Sequence, residues 1–218
     1  MLTSLPNLLT LSRIAAIPGL VALLFFDAPL YRWLACGLFA VAALTDYFDG
    51  YLARYMGQIS AFGRFIDPIA DKLFVAATLL MLVHAERVSE ISVIAVLIIL
   101  CREILVSGLR EFLAGTAASL PVTKLAKWKT GLQMASIGVL IMGDVGNMLI
   151  NPILGIDLPL QLIGEILLWG AAVLTLITGY DYLRAGLRHM KATAPAPTPA
   201  PKPEDISLKR AEPARPAG

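Results

Sequence analysis

The sequence predicts an all-α, polytopic membrane protein: a bundle of six transmembrane helices followed by a disordered tail. Three observations carry this expectation. Of 218 residues, 57% are hydrophobic and 16% charged, against about 45–50% and about 25% in an average soluble domain. The apolar residues fall into six runs of about 18–30 residues, each long enough for a helix that crosses a bilayer with ~20. The connections between runs are short, so the helices should pack as one bundle. The same figures argue against a soluble enzyme or a fibrous chain, and a net charge of +2 gives no reason to expect nucleic acid. Cys36 and Cys101 lie inside apolar runs and only His84 and His189 accompany them, which excludes a disulfide framework and a Cys/His metal cluster.

The first run, 5–26, carries Asn7, Thr10 and Arg13 at i, i+3, i+6, a polar strip on an apolar helix. It has no basic start and no small-residue cleavage site, so it does not read as a signal peptide. The second run spans 31–55 and the third 68–85, with Gly57 and Gly63 turning the chain between them. Asp67 precedes Pro68 and reads as the N-cap of the third helix, because proline favours the first helical position. The fourth run, 88–113, contains Arg102, Glu103, Ser107 and Arg110. The fifth, 127–150, follows the basic stretch that starts at Lys124. The sixth, 158–187, contains Glu165, which reads as an interfacial residue, and Asp181 three residues before Arg184. Seven of the 14 prolines lie beyond Ala192, so 191–218 is expected to be a disordered Ala/Pro-rich extension and 1–190 the membrane domain. Arg54, Arg64, Lys72, Arg110, Lys124, Lys127, Lys129, Arg184, Arg188 and Lys191 fall on one side of this topology, and Arg32 and Arg87 on the other. By the positive-inside rule both termini face the cytoplasm and the protein belongs in the cell membrane.

Spanning alone does not account for Asp46, Asp49, Asp67 and Asp71. Asp46 and Asp49 share a helix face at i, i+3, as do Asp67 and Asp71 at i, i+4. If the second and third helices lie antiparallel, the two pairs face each other at one membrane surface. Carboxylates so placed repel one another, and taking them from water is costly unless cations neutralise them. Their hard oxygen ligands suit Mg²⁺ or Mn²⁺, and two bridged ions are an arrangement used in phosphoryl chemistry. Helix caps paired with arginines are the plainer alternative for any one of these aspartates.

From Asp46 the chain reads Asp, two residues, Asp49-Gly50, two residues, Ala53-Arg54, eight residues, Gly63, three residues, Asp67, three residues, Asp71. This string resembles the signature of the CDP-alcohol phosphatidyltransferase family at every position, and the six helices fit that family over roughly 1–190. The resemblance implies a helical bundle with a polar cavity open to the cytoplasm, usually a homodimer, in which a CDP-linked lipid and an alcohol are joined with release of CMP. By position Asp46, Asp49, Asp67 and Asp71 would bind two Mg²⁺ (or Mn²⁺) ions, Asp71 would also act as base, and Gly50, Arg54, Ser60 and Gly63 would contact the CDP-lipid. Asn7 and Thr10 would line the nucleotide side of the cavity, unless their strip merely marks an interfacial terminus.

The strings 102–112 and 124–133 and the opening Pro6–Ile14 resemble the branch of the family that uses glycerol 3-phosphate as acceptor and CDP-diacylglycerol as donor. Arg110, Lys124, Lys127 and Lys129 would then hold the acceptor's phosphate. Their plainer reading is as cytoplasmic cations that snorkel from helix ends. Alternatives are an acceptor such as phosphatidylglycerol, inositol phosphate or serine, or a cation transporter built on the aspartates. A transporter would be expected to place its charges near the bilayer midplane.

Overall fold

The computed structural model describes residues 5–56, 61–114 and 124–193, with side chains except at 5–6, 46–56, 61, 62, 64, 112–114, 124, 126, 154 and 189–193. All regular structure among them is helical: α1 (Leu5–Phe25), α2 (Pro29–Met56), α3 (Ala61–His84), α4 (Val93–Ala114), α5 (Lys124–Met142), a 3₁₀ turn (Gly143–Gly146), α6 (Asn147–Leu154) and α7 (Leu160–Thr193). Among the described residues, three stretches are long and apolar enough to cross a membrane: Asn7–Phe25, Lys127–Ile153 and Leu160–Arg188. Among the described residues, Pro29–Thr45 of α2 forms a shorter apolar stretch.

Helix α1 packs on α2 and α3, α5 lies along α7, α4 packs on α7, and α2 touches α5. Leu79, Leu82, Ile99, Ile137 and Leu168 are fully buried at the centre. The rings of Phe39 and Phe74 stack there with centroids 5.6 Å apart, and Ala35, Ala95 and Ala171 let the backbones approach. The buried hydroxyls of Thr78 and Ser136 are satisfied within the protein, since lipid offers no partner, whereas Thr175 Oγ1 has no hydrogen-bond partner among the described residues. Thr78 Oγ1 donates to the Phe74 carbonyl at 2.7 Å, and Ser136 Oγ donates across the α5–α7 seam to the Gly164 carbonyl at 2.8 Å. The outer surface is apolar, with Leu80, Ile104, Ile166 and Trp128 among its exposed residues. Such a girdle is costly in water and suited to lipid.

The end of the bundle that holds the α1–α2 and α3–α4 turns is closed by its own polar groups. Asp27 accepts from Arg32 at 2.7 Å and also pairs with Arg87. Glu165 accepts from the Ser89 backbone N–H at 3.1 Å and from the hydroxyls of Ser89 and Ser92 at 2.5 and 2.6 Å. Glu165 thus caps the turn that starts α4.

Two expectations are corrected. Asp67 is not an N-cap, because α3 starts at Ala61 and Pro68 lies inside it. Proline's fixed φ is already helical, so a helix under way can pass through it at the loss of one backbone hydrogen bond. The fifth run is not one helix but α5, a 3₁₀ turn and α6, broken where Gly143 takes a positive φ of 48°. The tail beyond Thr193 lies outside the described residues.

Candidate active site

Helix α3 carries Asp67 and Asp71 one turn apart, and both carboxylates face the polar strip of α1. Thr10 Oγ1 donates to Asp67 Oδ1 at 2.5 Å, and Arg13 Nη1 pairs with Asp71 Oδ1. Asn7, Thr10 and Arg13 are only 2%, 1% and 3% exposed, so the strip turns inward and does not mark an interfacial terminus. Its spacing explains this: i, i+3, i+6 is one helical face, and that face meets α3. The Arg13 side chain is 2% exposed while that of Asp71 is 44% exposed. The guanidinium therefore anchors one carboxylate oxygen from within, and the rest of the group stays accessible from the bundle end. Gly63 is buried one turn before Asp67.

A second polar cluster joins α4, α5 and α7. Lys129 of α5 pairs with Glu103 of α4, their side chains 8% and 21% exposed. Arg102 Nη1 approaches Glu103 at 3.4 Å and Arg102 Nη2 donates to Thr178 Oγ1 of α7 at 2.9 Å. Arg102 Cζ and Arg110 Cζ lie over the ring of Tyr182, 5.8 and 5.6 Å from its centroid. Close helix approach makes this possible. A Cβ at Gly179 would stand 2.9 Å from Arg102 Cγ, and one at Gly186 would stand 2.8 Å from a Leu109 methyl, so the two glycines leave the room that the Arg102 and Leu109 side chains occupy between α4 and α7. The cluster holds three cations (Arg102, Arg110, Lys129) against one carboxylate (Glu103), a balance of +2. Lys72, next to Asp71, is close enough to Lys129 to add repulsion, so the acidic and basic clusters belong to the same end of the molecule.

The predicted site residues divide accordingly. Asn7, Thr10, Gly63, Asp67 and Asp71 are gathered on α1 and α3. Arg110 and Lys129 sit at the α4–α5–α7 junction, and Lys127 is exposed beside it. Asp46, Asp49, Gly50 and Arg54 lie on the last three turns of α2, with side chains outside the described residues. Lys124 begins α5 under the same limit, and Ser60 is outside altogether. Among the described residues no group of three or more metal-ligating side chains occurs. The described part nevertheless fits a hard divalent cation: two accessible carboxylates one turn apart on α3, with only oxygen donors. Sequence reasoning missed the partnerships of Arg13, Arg102 and Tyr182. Arg13 had a signal, as the third member of the strip; Arg102 and Tyr182 had only their place in long apolar runs.

The fold and site define a helical membrane protein with an acidic and a basic cluster at one end, the equipment for binding a charged phosphate ester beside lipid. The CDP-alcohol phosphatidyltransferase family model matches residues 3–177, and the chain belongs to that family. It is 48% identical over 182 residues, covering 84% of this chain and 94% of the relative, to a protein of Rickettsia bellii named CDP-diacylglycerol–glycerol-3-phosphate 3-phosphatidyltransferase. A Cereibacter sphaeroides protein of the same name is 41% identical over 215 residues, covering 86% and 97%. A rice protein named cardiolipin synthase (CMP-forming) is 38% identical over 153 residues, covering 64% of this chain and 46% of that protein.

Proposed function

We propose that the chain transfers the phosphatidyl group of CDP-diacylglycerol to the 1-hydroxyl of glycerol 3-phosphate, giving phosphatidylglycerophosphate and CMP. Relatives of that name, matched over most of both chains, support the reaction. The observation that carries it to residues is the pairing of the buried α1 strip with Asp67 and Asp71, at the same end as the net-positive α4–α5–α7 cluster.

The chemistry follows from what these groups can do. An alcohol is a weak nucleophile at neutral pH, and a carboxylate within reach can take its proton as attack begins. Asp71 has this role, with Arg13 holding one of its oxygens and so fixing where the other points. The acceptor oxygen bonds to the β-phosphorus, the bond from that phosphorus to the bridging oxygen breaks, CMP leaves with the electron pair, and the proton stays on Asp71. Asn7, Thr10, Gly50, Arg54, Ser60 and Gly63 hold the CDP-lipid. Arg110, Lys124 and Lys127 hold the acceptor's phosphate, where charge-assisted hydrogen bonds are the strongest recognition available; Lys129, buried and paired with Glu103, adds no free charge to them. Two Mg²⁺ or Mn²⁺ ions held by Asp46, Asp49, Asp67 and Asp71 would supply positive charge opposite the pyrophosphate. Six membrane crossings, with the site and both termini on the cytoplasmic side of the cell membrane, accord with the lysine and arginine distribution, and a homodimer accords with the family resemblance.

CMP release by the purified protein in detergent tests this reading. CDP-diacylglycerol and Mg²⁺ are supplied with one acceptor at a time: glycerol 3-phosphate, inositol phosphate, serine or phosphatidylglycerol. Release with glycerol 3-phosphate alone, abolished by EDTA, is expected. Release with phosphatidylglycerol instead would move the chain toward the rice relative's named activity, and no release from folded protein would reject the transferase reading.

A further inference from the structure

We infer that Tyr182 of α7 is a positioning residue for acceptor recognition, acting through Arg110; the inference rests on the assignment of Arg110 to the acceptor's phosphate. Arg110 is exposed and, among the described residues, makes no ion pair; its contact is with the Tyr182 ring, 5.6 Å from Cζ to centroid. A guanidinium on a long stem loses rotamer freedom when it binds an anion, and that loss weakens binding unless the group is held beforehand. An aromatic face holds it without consuming any N–H donor, so all the donors stay available for a phosphate. A carboxylate in the same place would hold Arg110 equally well but would cancel its charge and occupy the donors.

The surroundings fix the ring. Tyr182 is 5% exposed and stands between Gly179 and Gly186 on the α7 face that meets α4. Gly179 leaves room for the Arg102 stem and Gly186 for Leu109. Arg102 also lies over the same ring, but its Nη donors are committed to Thr178 and Glu103. The ring is thus clamped by one cation whose contacts are internal, and it presents the second, uncommitted cation to the bundle end. Helix α7, which carries none of the aspartates in the motif, thereby helps choose the acceptor.

The test is steady-state kinetics of CMP release for Tyr182→Leu, Tyr182→Phe, Arg110→Ala and the double variant Arg110→Ala/Tyr182→Leu. Tyr182→Leu is expected to raise KM for glycerol 3-phosphate about five- to tenfold, as loss of one partly desolvated cation–π contact implies, with KM for CDP-diacylglycerol unchanged. Tyr182→Phe keeps the ring and should stay within about twofold of the parent. In the Arg110→Ala background, Tyr182→Leu should add nothing. An additive effect in the double variant, or an equal rise in KM for both substrates, overturns the positioning role and leaves the acceptor assignment standing. An unchanged acceptor KM in Arg110→Ala overturns the acceptor assignment and the positioning role with it.

Discussion

Glu103→Gln removes the one carboxylate of the basic cluster and keeps its shape. Glu103 faces Lys129 and Arg102, with side chains 8% and 11% exposed. Breaking a buried ion pair by removing one partner costs about 3–5 kcal/mol, because a desolvated charge is left uncompensated. The amide oxygen of glutamine can still accept from Lys129, and the 21% exposure of the Glu103 side chain lets water recover part of the loss, so about 2–3 kcal/mol is expected. For a chain of this size each kcal/mol moves Tm by roughly 2–4 °C, giving a fall of about 4–12 °C. Thermal unfolding in detergent measures it directly. Adding Lys129→Met should recover more than half of the fall, since replacing both members of a buried pair is far less costly than removing one. A shift below about 2 °C for Glu103→Gln, or no recovery in the double variant, would refute the view of this pair as a desolvated contact between α4 and α5.

Two further outcomes are expected. Asp71→Asn should lower CMP release by about 10²- to 10⁴-fold, the range for a lost general base, while CDP-diacylglycerol still raises Tm; normal release would remove Asp71 from the base role. Gly164→Val should destabilise the α5–α7 seam by about 1–3 kcal/mol through overpacking, because even a Cβ there would stand 2.7 Å from Leu140 Cγ and Cδ2. Unchanged thermal unfolding of that variant would mean that the seam is looser than its geometry implies.

How much of this could be read from sequence depends on the range of the interaction. The helices were legible because each apolar run is a local signal, and Asp67 with Asp71 was legible because i, i+4 places two side chains on one face whatever the helix packs against. The start of α3 was not, because Asp-Pro is a sound local cue for a helix start and the helix already under way at Ala61 outweighs it. Break points at Gly143 and Asn147 within the fifth run were masked by continuous apolarity. Arg13 could be placed on a polar strip but not paired, since Asp71 is 58 residues away and only the α1–α3 packing joins them. Taken alone, the basic stretch is a set of phosphate-binding cations. For Lys129 that leaves out an electrostatic necessity: a lysine this buried needs a counter-ion in the protein itself, and Glu103 on the neighbouring helix provides it.

The same necessity bears on the choice of acceptor. With Lys129 and Glu103 balanced, the residual +2 of the α4–α5–α7 cluster resides on Arg102 and Arg110. Arg102 is held inside by Thr178 and Glu103, and its charge is partly offset by the carboxylate it approaches. Arg110 stands over an aromatic face with no carboxylate partner among the described residues. Lys72 adds further positive potential from the α3 side. An acceptor without a phosphate would leave this charge uncompensated as the CDP-lipid reacts. One with a dianionic phosphate would neutralise it and gain charge-assisted hydrogen bonds as it does so. Serine lacks such a group, whereas glycerol 3-phosphate and inositol phosphate both carry it. The electrostatics therefore favour an acceptor that carries a phosphate, as glycerol 3-phosphate and inositol phosphate do.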